Sequence, residues 1–148
     1  MKKKGKYSVG DIFQLRVDEK GNKGYGRILK IDRPSIFIEL YKLVPTMKEV
    51  ALEEIRQLEP ILMIWSTDTG IKKGEWNIIG NIPVLEEVKM PDFWKFDLFD
   101  AEKVIIIRNN EEFIVKKDQI GEAQPFGIFG YEAVSIRYLH ELRIRELT

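Results

Sequence analysis

The 148-residue chain has no cysteine. Disulfides, thiolate metal sites and cysteine nucleophiles are therefore excluded, and a reducing compartment is compatible with the composition. There is one histidine, His140, and neither an HExxH nor a GxSxG spacing. A histidine-rich metal centre or a nucleophile-elbow hydrolase thus lacks its residues, and His140 reads as an ordinary surface or boundary side chain. Net charge is also absent, because 24 Lys and Arg balance 24 Asp and Glu. A protein devoted to nucleic-acid backbone usually carries a basic excess. Long apolar runs are missing too. Ile61-Leu62-Met63-Ile64-Trp65 is of strand length and too short to span a membrane. Met1-Lys2-Lys3-Lys4-Gly5-Lys6 starts like a signal peptide, but Gly10 and Asp11 interrupt before any apolar segment forms. The expectation is a soluble cytoplasmic protein with no membrane partner.

What is present suits one compact domain over residues 1–148. A hydrophobic content of 44% beside 32% charged residues supplies a core and argues against wholesale disorder. Residues 1–8 read as a basic, partly disordered tail. Charge is unevenly spread, with a net +6 over residues 1–30 and −6 over the rest, so a locally acidic face is possible.

Asp11 to Val17, Tyr25 to Ile31 and Ile36 to Tyr41 are short strand patterns separated by polar, Gly- or Pro-containing turns. Together they suggest a strongly bent, mainly antiparallel sheet of small-barrel type. Thr46-Met47-Lys48-Glu49 fits a capping box and predicts a helix from Thr46, with Met47, Ala51, Ile55 and Leu58 as its buried stripe. Pro60 ends it, and Ile61 to Trp65 reads as a strand buried on both faces. The stretch from Gly74 to Phe96 holds two of the three tryptophans and combines large rings with Gly and Pro turns. It reads as a structural keystone. Val104 to Arg108 and Glu112 to Lys116 flank Asn109-Asn110-Glu111 as a hairpin. A final helix from about Tyr131 to Arg145 carries Val134, Tyr138 and Leu142 on one stripe, with Arg137–Glu141 and Glu141–Arg145 spaced to pair. The class is α+β, with one internal and one C-terminal helix.

Three patterns bear on chemistry. Gly24-Tyr25-Gly26 lacks the third glycine and following helix of a dinucleotide site, so it reads as a close backbone approach. Lys23-Gly24-Tyr25-Gly26-Arg27 interleaves basic and aromatic residues and, with the basic tail, offers an alternative reading as a nucleic-acid-binding module. Carboxylate pairs at Glu53-Glu54, Glu86-Glu87 and Glu111-Glu112 leave a glycosidase-like hydrolase as a further alternative. Glu49, Glu53 and Glu54, with Glu59 beyond them, fit better as a face toward a cationic protein partner. Trp76 is the aromatic candidate for that contact if its turn is exposed. No residues are assigned to catalysis, metal or cofactor binding.

Five segments occur in order: Gly10-Asp11-Ile12-Phe13, Gly24-Tyr25-Gly26-Arg27-Ile28-Leu29, Trp76 through Gly80-Asn81-Ile82-Pro83, Pro91-Asp92-Phe93-Trp94-Lys95-Phe96, and Pro125-Phe126-Gly127 through Val134. The series resembles the immunity protein 26 family of bacterial polymorphic-toxin systems along nearly the whole chain. That resemblance implies a small cytoplasmic protein, made beside a secreted or contact-delivered toxin, which binds the toxin and blocks an essential surface. It implies no enzymatic activity and no cofactor. Gly10, Asp11, Gly24, Gly26, Trp76, Gly80, Asn81, Pro83, Phe93, Trp94, Pro125 and Gly127 would then specify the fold, while toxin specificity would lie in exposed residues elsewhere.

Overall fold

A computed structural model describes residues 6–145. Residues 1–5 of the basic tail lie outside the described residues. Tyr7 departs from the tail expectation, for it is buried and donates a 2.6 Å hydrogen bond to Asp68 Oδ2. The structure is α+β, with two mixed sheets rather than one. Residue contacts divide it into two compact units, described in turn.

The first unit comprises the described residues up to Glu87 and those from Ile128 onward. Its strands are β1 (Asp11–Arg16), β2 (Lys23–Asp32), β3 (Ser35–Tyr41), β4 (Pro60–Thr67), β5 (Trp76–Asn81) and the short Ile128–Phe129 strand, β10 in chain order. The sheet runs β10-β4-β3-β2-β1-β5, antiparallel except where β10 meets β4. It is open, not closed into a barrel. Register shifts in β2 at Ile28/Lys30 and in β1 at Ile12/Phe13 bend it locally.

Both faces of this sheet are covered. On one, Phe13, Leu15, Ile28, Ile38 and Leu40 pack with Val134, Tyr138 and Leu142 of the terminal helix (Tyr131–Ile144). The expected stripe is therefore the buried one. On the other, Ile12, Tyr25, Tyr41 and Ile82 pack with Ile55 of helix α1 (Leu52–Arg56). Ile12 breaks the alternation of β1 because the second face is also buried. A further short helix, α2 (Thr69–Lys72), follows β4.

Helix α1 starts six residues later than its capping box predicts, and the cause is local. Thr46 forms a β-bridge with Lys23, its amide and carbonyl each bonded to that residue's backbone. Glu49 is drawn to the side chains of Lys23 and Gln14. The Thr46 amide is thus not open to Glu49, and Thr46 Oγ1 accepts from the Lys48 amide at 3.1 Å instead of from Glu49's. The capping box does not close, so residues 46–51 stay extended or bent and Met47 and Ala51 are exposed instead of buried.

The second unit, Val88–Gly127, holds a four-stranded sheet. Its strands are β6 (Phe93–Phe96), β7 (Lys103–Arg108), β8 (Glu111–Lys116) and β9 (Gln124–Pro125), ordered β8-β7-β6-β9. The β7–β8 hairpin turns on Asn109 and Asn110, both at positive φ (52° and 67°), as a tight two-residue loop requires. A single 3-10 turn, Lys117–Gln119, follows β8, and the terminal helix of the first unit is α3.

Candidate partner-binding surface

Glu49 bridges the start of β2 to β1. Its carboxylate accepts from Lys23 Nζ at 2.7 Å and from Gln14 Nε2. The Lys23 hydrogen bond, then the one from Gln14, holds this carboxyl below the usual carboxylate range, and the same pairing raises Lys23. Glu49 therefore stays ionised in neutral solution. Glu53 and Glu54 occupy the first turn of α1, where the helix dipole favours negative charge, and both are exposed. The helix is amphipathic in the simplest sense, with Ile55 facing in and the carboxylates facing out. Glu59 is exposed as well. All four carboxylates, within residues 49–59, are thus exposed. Beside Lys23 and Gln14 lies a shallow cavity of about 230 Å³, also lined by Arg16, Glu75 and Asn77.

Trp76 does not join them. It is only 3% exposed, and its ring stacks on Phe13 at 4.8 Å with the planes 9° apart. The proposed contact role for Trp76 is corrected on that ground, since a core ring cannot anchor a partner. Tyr25 is buried, with its hydroxyl accepting from Gln14 Nε2 and the Val50 amide at 3.2 Å each. Arg27 pairs with Glu39 at 3.2 Å and donates to the Ile82 carbonyl, while Tyr41 donates to the same Glu39 oxygen. A base could not stack on Tyr25, and Arg27 already has its anion. His140 is exposed on α3. Among the described residues no cluster of His, Asp and Glu suits a metal ion, and no helix is long and apolar enough to cross a membrane.

The shared-motif residues lie at turns and close approaches. Gly10 has φ +90°, and a Cβ there would stand 2.9 Å from the Ile82 carbonyl oxygen. Next to it, buried Asp11 accepts from the Ser8 amide and from Asn81 Nδ2, so the start of β1 is clasped to the end of β5. A Cβ on Gly24 would come within 2.3 Å of the Tyr138 ring, where the absence of a side chain lets α3 seat. Gly26 and Gly80 likewise face Leu40 and Leu52 side chains, and Pro83 is exposed just past the clasp. In the second unit, Phe93 meets Phe126 edge-on and Trp94 meets Phe96. Pro125 is buried where β9 pairs with Trp94, and Gly127 follows at φ +135°.

One exposed pair escapes the sequence reading. Leu98 and Phe99, between β6 and β7, are 90% and 97% exposed. Their loop is fixed by its own aspartates: Asp97 accepts from the Phe99 amide and Asp100 from the Glu102 amide, both at 2.9 Å. These self-capping turns hold two large apolar side chains outward between carboxylates. The signal is present in sequence as Asp97-Leu98-Phe99-Asp100, where apolar residues sit inside a turn motif instead of a strand.

Comparison with known proteins gives one family. The model of immunity protein 26 matches residues 8–105, about two thirds of the chain. No curated protein and no solved structure shows significant similarity. The matched span takes in the Gly10–Asp11 clasp, the Gly24 approach, Trp76 and the Phe93–Trp94 strand. On that match the chain belongs to the immunity protein 26 family.

Proposed function

We propose that the chain binds a cognate bacterial protein toxin in the cytoplasm and neutralises it by occlusion, without a catalytic step or a cofactor of its own. Family membership over residues 8–105 carries this reading. The exposed carboxylates Glu49, Glu53 and Glu54 would meet a cationic toxin surface, raising the encounter rate more than the final affinity. With Trp76 committed to the core, Leu98 and Phe99 take the anchor role, because burying large, pre-positioned side chains yields binding energy at little ordering cost. The fold-specifying residues act indirectly, by holding these segments in place. The nucleic-acid alternative loses its reader residues, since Tyr25 is buried and Arg27 is paired. The hydrolase alternative gains no support, because Glu53-Glu54, Glu86-Glu87 and Glu111-Glu112 all sit on exposed positions.

Affinity capture of the tagged chain from its native host tests the proposal, with nuclease treatment and washes of rising salt. The expected result is one dominant protein, encoded beside this chain, that survives both treatments and loses its toxic activity at one equivalent. Recovery of nucleic acid alone, lost as salt rises, would overturn it.

A further inference from the structure

We propose that β8 pairs antiparallel with β8 of a second copy of this chain, joining two four-stranded sheets into one. The strand lies at the outer end of its sheet, and all of Glu111-Glu112-Phe113-Ile114-Val115-Lys116 is exposed or half-buried, with Ile114 at 64%. Sheet edges are normally blunted by proline, bulges or a central charge. The centre of β8 carries Phe, Ile and Val instead, and its pairing with β7 is regular from Lys103↔Lys116 to Arg108↔Glu111.

Backbone direction limits how two such edges meet. Lys117 donates its amide to Glu102 O, toward β7, whereas the Lys116 amide turns away to Gln119 Oε1. Alternation along the strand then points the backbone groups of Glu112 and Ile114 outward. A homodimer of this edge must be two-fold symmetric, so each residue's partner is fixed by the position of the axis. An axis at Glu112 sets that carboxylate against its own copy. An axis at Phe113 leaves Glu112 facing Ile114, and one at Val115 brings Glu112 opposite Asp118. Only an axis at Ile114 sets Glu112 opposite Lys116 and Glu111 opposite Lys117, each twice by symmetry.

In this register Ile114 of each copy exchanges both backbone hydrogen bonds with Ile114 of the other. The Glu112 amide donates to the Lys116 carbonyl, and the Lys116 amide exchanges its bond to Gln119 Oε1 for one to the partner's Glu112 carbonyl. Because Ile105 and Lys95 lie in line with Ile114 across the sheet, the two Ile114 side chains close an apolar strip from Ile105 to its copy. Phe113 meets Val115 on the opposite face. One strand pair buries less than the roughly 1,000 Å² of a strong interface, so the association is weak and concentration-dependent. It does not rest on toxin binding.

Sedimentation velocity of the full chain over a wide concentration range tests this. A reversible monomer–dimer equilibrium is expected. Ile114→Pro should abolish it with an unchanged circular dichroism spectrum, because the lost N–H faces away from β7. Glu112→Lys and Lys116→Glu should each weaken self-association about tenfold. An equimolar mixture of those two variants should restore it, since each then finds the opposite charge. A wild-type chain that stays monomeric to its solubility limit overturns the proposal. So does a dimer that both charge variants retain and that mixing does not strengthen.

Discussion

The two units bury their sheets to very different degrees. In the first, β1 is inaccessible from Asp11 to Leu15, because α3 covers one face and α1 with its flanking segment covers the other. In the second, Val104, Ile106 and Pro125 are the buried strand residues, while Phe96, Leu98, Phe99, Phe113, Ile114 and Phe126 all face solvent. Burial is the main source of stability, at about 25 cal/mol per Å² of apolar surface. A unit as short as Val88–Gly127 can bury only a modest share of its surface. The contrast separates a region built to hold its shape from one that keeps apolar surface in reserve, and a binding protein needs both.

Tyr138→Ala should break the first unit most. The ring is fully buried beneath Gly24, and its hydroxyl donates at 2.6 Å to the Tyr41 carbonyl. A loss of about 3–5 kcal/mol in urea unfolding is expected. The matching change in the second unit, Ile106→Ala, should cost about 2 kcal/mol, since its surroundings are more open and can relax. Hydrogen exchange should place that loss within residues 88–127 and leave the first unit's protection intact. Equal losses from the two substitutions would erase the comparison.

A pH effect should follow from Tyr7. Burial, reinforced by the hydrogen bond to Asp68, pushes its hydroxyl from 10 up to about 12. The folded chain therefore holds a proton that the unfolded chain releases first. The stabilisation is complete below pH 10 and is lost as pH rises from 10 toward 12. Tyr7→Phe should flatten part of that decline in denaturant midpoints measured on the alkaline side. Leu98→Ser with Phe99→Ser should change unfolding by less than about 0.5 kcal/mol. The same pair should weaken toxin binding at least about tenfold, measured by titration calorimetry. Glu53→Gln with Glu54→Gln should leave stability alone and slow association, most visibly at low salt.

How much of this was legible in the sequence depended on whether local pattern or distant contact decided the outcome. The α3 stripe and the Asn109–Asn110 hairpin are local and were readable: a 3.6-residue period and two turn residues suffice. Thr46 and Glu49 carry an equally good local signal, yet Lys23 claims both from across the sheet, and no pattern announces that competition. Tyr7 hides an ordered core residue inside a lysine-rich run, because its partner Asp68 is far along the chain. Trp76 illustrates the limit for the site. Its size marked it as important, but only the stack on Phe13 decides between core and contact. The exposed carboxylates could be named from charge alone, whereas the projection of Leu98 and Phe99 depends on turns whose outcome sequence spacing does not fix.

The most direct test of the central claim is growth of a sensitive host expressing the toxin encoded beside this chain, with and without the chain itself. Restored growth is predicted with the wild-type protein and with Glu86→Gln/Glu87→Gln, which removes a carboxylate pair without touching the proposed contacts. It should be reduced when Leu98 and Phe99 are both changed to Ser. Growth that stays arrested despite soluble, folded wild-type protein would contradict the account.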